Sequence, residues 1–458
     1  MRLLLLIGFL AGTTLQAQTI SQKLQSAVAS FEADGQLRNG IVSLYVMNSK
    51  TGATVFNHNG RIGLTPASSQ KVITSTTALE TLGTGYRFKT ELAHDGTIAN
   101  GVLNGNLYVI GYGDPSLGSW RYASTKEEVV MNNWIKAIEA AGIKKINGKV
   151  IVYDKNWESQ AVPDGWTYDD MGNYYGAGAS GFNWRENQYD IKLSSGKPGD
   201  AVKVIGTEPM LFGNTFINEL TAGPSGSGDN AYIYRAPGQF TAYLRGTIPP
   251  GQSSFTISGS MPNAAHHLSH AFSIVLASKG MGEAIAGMDE KADVKLPAII
   301  KVIHTHLSPP LDSLNYWFLK KSVNLYGEAF LKALDYEKKK VGSTSGGIDV
   351  VKKLHQANGI EETALRMYDG SGLSPKNRLT AEALTKAMQY ARKQSWFSSF
   401  HDGLPDINGM RMKSGTMAGV KSFTGYSGDY IFAIIVNNYN GSHADIQRKM
   451  WRVLDVLK

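Results

Sequence analysis

Apolar residues recur with two different spacings along the chain, and each spacing predicts one kind of element. Spacings of three and four residues predict helices, whereas strict alternation predicts strands that bury one face. The helical pattern covers seven segments: 20–34, 68–82, 125–141, 261–280, 311–336, 379–394 and 444–458. Thr380 is a candidate N-cap and Gly83 a candidate helix stop. Alternation predicts one hairpin in 40–60, which turns at "NSKTGA", and a second in 422–439.

The pattern changes between about residues 84 and 260. Short alternating segments such as "GNLYVIGYG" and "QYDIKLS" are separated there by turns rich in Gly and Asn, with one helix at 125–141. A chain of 458 residues is also too long for one simple core. We therefore expect an α/β (α+β) main domain built from residues 18–83 and 262–458, and a large β-rich insert over 84–261.

The first 17 residues have the pattern of a secretory signal peptide. Arg2 supplies a positive charge, an apolar run extends from Leu3 to Ala11, and Ala17 is a small residue at the expected cleavage position. An uncleaved anchor is the alternative, although the run is short for a bilayer span. No cysteine follows the run, which excludes a lipid-modified N-terminus. We expect an exported protein, soluble or peripheral to the membrane.

The charge and the cysteine content limit the cellular compartments and the partners that are expected for this protein. The chain has no cysteine, which excludes disulfides, cysteine nucleophiles and cysteine-ligated metals, and favours a bacterial periplasm over an animal secretory pathway. The net charge of +8 is compatible with contact to an anionic membrane or wall polymer. The basic residues are scattered and no aromatic RNA-binding signature is present, so we expect no nucleic-acid partner. The amphipathic segment 444–458 is compatible with a membrane surface or, preferably, with packing against the second hairpin.

A serine and a lysine at the start of the second helical segment offer nucleophilic chemistry. A serine hydroxyl needs a base to take its proton, and residues i and i+3 share a helix face. Ser68 and Lys71, in "PASSQKVITS", have this spacing, whereas Ser69 points about 200° away from Lys71. A second Ser-x-x-Lys, Ser194 to Lys197, lies among Gly and Pro, where no helix would align the pair.

Two further segments supply the polar groups that a serine–lysine peptidase needs. "KKSVNLYGE" contains Ser322 and Asn324, and "MKSGTMAG" contains Lys413, Ser414, Gly415 and Thr416 just before the second hairpin. Glycine in such a strand lets a substrate strand approach closely.

Each of these two motifs has a decoy, a second copy elsewhere in the chain that we do not assign to the site. Ser313 and Asn315 repeat Ser-x-Asn nine residues earlier, about 180° away on a continuous helix. The Lys-Thr-Gly at 50–52 lies in a hairpin turn.

The order Ser-x-x-Lys, Ser-x-Asn, Lys-Ser-Gly-Thr resembles the penicillin-binding D-alanyl-D-alanine peptidases and serine β-lactamases. A finer resemblance is to the class C low-molecular-mass penicillin-binding proteins, the carboxypeptidase/endopeptidase family (serine peptidase family S13) typified by penicillin-binding protein 4. The segments "GNLYVIGYGDPSL", "GAGASGFNWREN", "YDGSGLSPKNRLT" and "MKSGTMAGVKSFTGY" also look like that family. The resemblance implies a β-lactamase-like transpeptidase domain, with an antiparallel sheet flanked by helices.

The resemblance also implies roles for the matching residues. Ser68 would be the acylated nucleophile, Lys71 its general base, and Ser322, helped by Lys413, a proton relay to the departing D-alanine. Substrate would be held by Asn324 at its amide and by Ser414, Gly415 and Thr416 at its carboxylate. The backbone N–H groups of Ser68 and Thr416 would form the oxyanion hole. Ser414 stands where the family usually has threonine, and Val323 where aspartate is common.

The implied activity is an exported serine D-Ala-D-Ala carboxypeptidase and endopeptidase without a cofactor. Its partners would be peptidoglycan peptides that end in D-Ala-D-Ala, with β-lactam antibiotics as inhibitors. Two alternatives remain: a β-lactamase or esterase on the same scaffold, and a non-catalytic penicillin-binding sensor. The sequence does not specify the oligomeric state.

Several other segments are given structural interpretations. "DGSGLS" at 369–374 lacks the Gly-x-Ser-x-Gly spacing of a nucleophile elbow and predicts a tight loop near the site. The histidines in "HHLSH" (266–270), His304 and His306 have no His-Glu-x-x-His spacing, so no metal is expected. Asp114 in "GYGDPSL" is assigned to a turn, and the Trp and Tyr residues of 157–184 to the core of the insert or the mouth of a cleft.

Overall fold

A computed structural model describes residues 18–282, 285–286 and 296–458. The predicted signal peptide therefore lies outside the described residues. Before residue 84 the elements are α1 (Ile20–Glu32), β1 (Ile41–Asn48), β2 (Thr54–His58), a 3₁₀ turn (Ala67–Gln70) and α2 (Lys71–Leu82). The first predicted hairpin is confirmed as β1 and β2, and the helix stop as Gly83, which has a φ of 83°.

The middle of the chain is rich in strands, as expected. Its elements are β3 (Lys89–His94), β4 (Thr97–Ala99), β5 (Val102–Asn104), β6 (Leu107–Gly111), α3 (Glu127–Ala140), β7 (Lys145–Ile146), β8 (Lys149–Tyr153), α4 (Tyr168–Met171), β9 (Gln188–Ser194), β10 (Lys203–Glu208), β11 (Thr215–Asn218), β12 (Thr221–Ala222), β13 (Asn230–Tyr234), β14 (Thr241–Ile248), β15 (Phe255–Ser260), α5 (Ala264–Ser278), β16 (Ile285–Ala286) and β17 (Lys301–Leu307).

The C-terminal part alternates helices and strands. It comprises α6 (Leu311–Lys320), α7 (Asn324–Lys339), α8 (Thr344–Ala357), β18 (Leu365–Arg366), β19 (Arg378–Leu379), α9 (Ala381–Arg392), α10 (Phe397–Gly403), β20 (Asp406–Ile407), β21 (Met410–Met417), β22 (Val420–Ser427), β23 (Tyr430–Asn437) and α11 (His443–Leu454). The second hairpin is confirmed as β22 and β23, and Thr380 caps α9 by accepting a hydrogen bond from the N–H of Ala383.

A six-stranded antiparallel sheet joins the two ends of the chain, in the order β2-β1-β23-β22-β21-β20. Successive side chains of a strand point to opposite faces of the sheet. Because helices cover both faces, the central strands are buried on both sides. Along β23, Ile431 and Ile435 belong to the core with α2, α6, α7, α8 and α9, whereas Phe432 and Ile434 belong to the core with α1 and α11. The expected antiparallel sheet flanked by helices is confirmed.

The C-terminal helix packs on this sheet. Ile446, Met450 and Leu454 of α11 are fully buried in the core shared with the second hairpin and α1. This confirms the preferred interpretation of segment 444–458. Across the part of the chain that the structure describes, no helix combines the length and the apolar character that a bilayer span requires.

The predicted insert has hydrophobic cores that are separate from those of the main sheet. A five-stranded sheet, ordered β16-β8-β6-β3-β17, packs against α3 and α5, and the sheets built on β9 and β14 enclose a smaller core. Strand β17 pairs with β3, although it lies beyond residue 262, where the sequence placed the return to the main domain. The division at 84–261 stays a prediction, and this pairing favours a return near residue 308.

The helix predicted over 311–336 is wrong as one continuous element. α6 ends at Lys320 and α7 starts at Asn324, because Ser322 adopts a φ of 59°, which a right-handed helix cannot accommodate. The comparison of Ser313 with Ser322 by rotation around one helix therefore does not apply. The break instead places Ser322 at the N-terminal end of α7, beside the start of α2.

Candidate active site

The turn before α2 presents Ser68 at the edge of the main sheet. Ser68 lies in the 3₁₀ turn Ala67–Gln70, and Ala67 has a φ of 46°, a conformation that costs a residue with a Cβ about 1–2 kcal/mol. Ser68 is half-buried and lines a cavity of about 650 Å³. Lys71 is the first residue of α2 and is completely buried.

The amino group of Lys71 has three oxygen neighbours from three segments. Its Nζ lies 2.9 Å from Ser68 Oγ, 2.7 Å from Asn324 Oδ1 and 2.6 Å from the carbonyl oxygen of Ser371. The orientation of the Asn324 amide is fixed because its Nδ2 donates to the carbonyl oxygen of Tyr175 at 2.8 Å. The two carbonyl oxygens can only accept, so a neutral Lys71 would donate to both and keep its lone pair for the Ser68 hydroxyl.

Burial sets the protonation of this lysine. Desolvation lowers the pKa of Lys71 to about 7, against the opposing charges of Asp369 and Glu328. The pKa of Lys413 is also held well below its usual range, first by burial and then by the charges of Lys71 and Lys421.

Ser69 faces the opposite way from Ser68 and is fully buried. Its Oγ lies 2.7 Å from Ser422 Oγ and 3.4 Å from the carbonyl oxygen of Lys413. Ser422 in turn donates to the carbonyl oxygen of Pro66 at 2.5 Å. Ser69 therefore connects the serine turn to β21 and β22. This structural role fits the interpretation that Ser69, which points away from Lys71, takes no part in catalysis.

Strand β21 carries the Lys-Ser-Gly-Thr motif past the serine turn. Lys413 is buried and donates to the carbonyl oxygen of Ser414 at 2.9 Å, and the exposed Thr416 accepts from Lys421 Nζ at 2.8 Å. A Cβ on Gly415 would lie 2.4 Å from the carbonyl oxygen of Pro66 and 2.9 Å from Ser68 N. The glycine expected to admit a substrate strand is thus required by the protein's own serine turn.

Four of the predicted residues line one cavity. They are Ser68, Ser322, Asn324 and Thr416. Lys71, Lys413 and Gly415 are buried close behind that surface, whereas the half-buried Ser414 is not part of the lining. Residues from the insert form the opposite wall, including Arg121, Asp170, Tyr174, Tyr175 and Tyr232. The aromatic residues of 157–184 therefore divide: Tyr174 and Tyr175 line the cleft, and Trp184 is buried in the core with α3 and α5. Trp157 is instead buried in the core of the main domain.

The loop 369–374 is a larger part of the site than the sequence indicated. Besides the Ser371 carbonyl at Lys71, Asp369 accepts hydrogen bonds from Gln70 Nε2 at 3.0 Å and from Trp166 Nε1 of the insert at 2.9 Å. Gly372 has a φ of 82°, and a Cβ there would lie 2.1 Å from the carbonyl oxygen of Ala67. The density of Gly and Ser in this segment indicated a tight loop near the site. It could not indicate that a carbonyl of the loop contacts Lys71.

The decoy motifs lie elsewhere. Ser194 ends β9 and Lys197 is exposed beyond it, while the Lys-Thr-Gly at 50–52 forms the turn after β1. Asn315 is buried and accepts from Ser75 Oγ at 2.6 Å. Asp114 accepts from the N–H and hydroxyl of Ser116, as its assigned turn requires. The rings of His266, His267 and His270 pack on Phe212 and Phe240; within the described ranges, no three acidic or histidine side chains are placed to hold a metal ion.

The close approach at Gly415 gives a stringent test of this geometry. We expect Gly415→Ala to lower both thermal stability and the rate of labelling by a fluorescent penicillin, because a Cβ would collide with backbone atoms of the serine turn. Gly206→Ala, in strand β10, is the matched control, since a Cβ there meets nothing within 4 Å. Melting curves and labelling rates of both variants decide; a Gly415→Ala protein as stable and as reactive as the control would contradict the arrangement.

Comparisons with known proteins identify the family of this chain. The family model described as D-Ala-D-Ala carboxypeptidase 3 (S13) matches residues 24–457. The D-alanyl-D-alanine carboxypeptidase of Actinomadura sp. (strain R39) is 25% identical over 457 residues, which cover 92% of this chain and 82% of that protein.

Solved structures show the same fold. The crystal structure of penicillin-binding protein 4 from Haemophilus influenzae superimposes with a TM-score of 0.77 at 21% identity, covering 93% of this chain and 98% of that one. A second structure of that protein, complexed with a novel β-lactam, gives a TM-score of 0.73 at 21% identity over 94% of this chain and 99% of that one. The chain belongs to the D-Ala-D-Ala carboxypeptidase 3 (S13) family, which confirms the predicted family and enzyme class, a serine-type D-Ala-D-Ala carboxypeptidase.

Proposed function

We propose that this protein cleaves peptidoglycan stem peptides through an acyl-enzyme on Ser68. The observation that carries the proposal is the set of three oxygens around Lys71 Nζ, of which the Ser68 hydroxyl alone can donate a proton to a neutral lysine. A base with a pKa near 7 also combines readiness to accept a proton with availability at neutral pH.

In the first step, Ser68 Oγ attacks the carbonyl carbon of the penultimate D-alanine and its proton passes to Lys71. The C–N bond of the tetrahedral intermediate then breaks, and a proton reaches the departing amine by way of Ser322 and Lys413. Water hydrolyses the resulting ester and regenerates Ser68. The close contact between Gly415 and Ser68 N supports an oxyanion hole formed by the N–H groups of Ser68 and Thr416.

Substrate contacts follow from the cavity wall. Asn324 would bind the peptide amide, and Thr416 would hold the terminal carboxylate. The family resemblance adds Ser414 as a second carboxylate ligand, although it lies outside the lining of the cavity. β-Lactams would acylate the same serine, and the β-lactam complex of the Haemophilus influenzae relative supports this. The size of the cavity, with walls from the main domain and the insert, supports endopeptidase action on crosslinked peptides as well. No cofactor enters the scheme.

The proposed location is the bacterial periplasm, after cleavage of the signal peptide near Ala17. The sequence pattern of residues 1–17 supports it. The test is the N-terminal sequence of the protein recovered from the periplasmic fraction of a Gram-negative host: a start near residue 18 is expected, and an intact residue 2 in the membrane fraction would contradict it.

Digestion of intact peptidoglycan tests the activity directly. We expect the purified protein to release D-alanine from pentapeptide muropeptides and to convert crosslinked dimers into monomers, as measured by mass spectrometry, with the Ser68→Ala protein as the blank. Rapid turnover of penicillin without D-alanine release would indicate a β-lactamase instead. Stable labelling without release of any fragment would indicate a penicillin-binding sensor.

A further inference from the structure

A buried glutamate lies behind the proposed base without reaching the cavity. Glu328 is on α7, one helical turn after Asn324, and is fully buried. It is not part of the cavity lining, so it does not touch substrate. Its partners belong to the loop 369–374 rather than to the serine turn.

Both carboxylate oxygens of Glu328 accept hydrogen bonds from consecutive backbone N–H groups. Oε2 accepts from Gly370 N at 2.9 Å and Oε1 accepts from Ser371 N at 2.8 Å. The carbonyl oxygen of the same Ser371 is the one that lies 2.6 Å from Lys71 Nζ. One peptide segment therefore connects the carboxylate to the lysine amine.

We propose that Glu328 is a positioning residue for Lys71: it holds the N–H groups of Gly370 and Ser371 and thereby aims the Ser371 carbonyl at the lysine amine. The inference rests on the proposed acylation of Ser68 with Lys71 as base. It adds a residue that the Ser-x-x-Lys, Ser-x-Asn and Lys-Ser-Gly-Thr motifs do not contain.

The loop has little freedom to find another position. A Cβ on Gly370 would lie 2.3 Å from the carbonyl oxygen of Gly327, so the loop and α7 are in direct backbone contact. From the other side, Thr74 Oγ1 of α2 donates to the carbonyl oxygen of Gly370 at 2.6 Å. Loss of the Glu328 carboxylate would leave two buried N–H groups without their acceptors, and each such group costs about 1–3 kcal/mol.

The charges around Glu328 come from each element packed against it. Lys71 on α2, Asp369 on the loop and Lys332 one turn further along α7 all interact with it, and Lys413 of β21 stands behind Lys71. Burial and Asp369 raise the pKa of Glu328 to about 8. Glu328 in turn raises the pKa of Lys71, second to Asp369, against the larger effect of burial.

The split between binding and acylation separates this role from a purely structural one. A Glu328 carboxyl with a pKa of about 8 is mostly protonated in the acid limb, so Glu328→Gln should leave the pH midpoint of acylation near 7. The plateau acylation rate should fall, since an amide offers one acceptor oxygen where the carboxyl offers two, and the Ser371 carbonyl is then held less firmly. Glu328→Asp should lower the plateau as well because its side chain is shorter. In both variants the initial binding constant for penicillin should stay the same, because Glu328 does not line the cavity.

The control is Asp335→Asn, which removes another buried carboxylate from α7. Asp335 is 1% exposed and accepts from Ser343 Oγ at 2.6 Å, away from Lys71. We expect this variant to lose stability without a change in the plateau acylation rate. Rates would be measured by stopped-flow with a fluorescent penicillin, and melting temperatures would be recorded for every variant.

An unchanged plateau rate in a folded Glu328→Gln protein, or an equal fall in the Asp335→Asn control, would overturn the inference. If Glu328→Gln does not fold, Glu328→Asp decides, because a plateau equal to that of the unmodified protein would show that the reach of the carboxylate is not used. An unmodified protein that is not acylated at any pH would instead refute the proposed function itself.

Discussion

Replacing Ser68 with alanine is expected to abolish covalent labelling by a fluorescent penicillin and to lower D-alanine release by about 10⁴-fold or more. The reason is specific to this turn: Ser68 Oγ both lines the cavity and lies 2.9 Å from Lys71 Nζ. Alanine removes the nucleophile while leaving the half-buried turn intact, so the variant should fold. Gel fluorescence after incubation with the penicillin measures the first effect, and a D-alanine assay on a pentapeptide measures the second.

Ser69→Ala is the matched control one residue away. It removes the hydroxyl that lies 2.7 Å from Ser422 Oγ, which costs about 1 kcal/mol of stability for a buried hydrogen bond. Ser422 keeps its bond to the Pro66 carbonyl, so we expect labelling to persist. Ser194→Ala, in the second Ser-x-x-Lys, should change neither property. Labelling that survives in Ser68→Ala, or disappears only in Ser69→Ala, would reassign the nucleophile.

The sequence was sufficient to predict that Ser68 and Lys71 lie side by side, because their spacing is set by local geometry. Pro66 and the apolar spacing of 72–79 place Ser68 and Lys71 at the start of a helix, and three residues bring them to one side. The terminal strands were similarly predictable, since alternation over 40–60 and 422–439 is strong and each hairpin closes on itself. Short-range patterns specify short-range structure.

The surroundings of Lys71 could not be predicted in this way. Its other two oxygen neighbours are separated from it by 253 and 300 residues, and one of them is a backbone carbonyl, which any residue type can provide. The group that orients Asn324 is also a backbone carbonyl, that of Tyr175. Because any residue type can provide it, its identity could not be predicted from the sequence either. Burial, which dominates the pKa of Lys71, depends on all of these segments together.

The errors in the predicted elements also have physical causes. Helical spacing continues across the junction of α6 and α7 because both helices bury Leu and Phe in the same core, as Leu314, Phe318, Leu325 and Phe330 illustrate. The apolar spacing therefore could not predict the break at Ser322, which is caused by the backbone conformation of that one residue, with a φ of 59°. The extent of the insert, 84–261, stays a prediction for a related reason: β17 pairs with β3 across more than 200 residues, and no local pattern indicates which sheet a strand joins.

Acylation by the unmodified protein is expected to rise with pH through a midpoint near 7. Only the neutral form of Lys71 can accept the proton of Ser68, and burial lowers the pKa of this lysine to about 7. Below the midpoint the rate should therefore fall about tenfold per pH unit, because the neutral fraction falls by that factor. Stopped-flow acylation rates from about pH 5 to about pH 9 measure the profile.

Lys71→Arg tests whether Lys71 accepts the proton, because a guanidinium remains protonated throughout this pH range. It should lower the acylation rate about 10²- to 10⁴-fold and remove the acid limb. Lys332→Arg is the control for placing arginine in the interior, since Lys332 is also fully buried and donates to the carbonyls of Gln160 and Ala179. It should retain a midpoint near 7. Normal labelling by Lys71→Arg, or an unmodified rate that is flat from about pH 5 to about pH 9, would show that another group takes the proton, and the three-oxygen environment of Lys71 would then be structural.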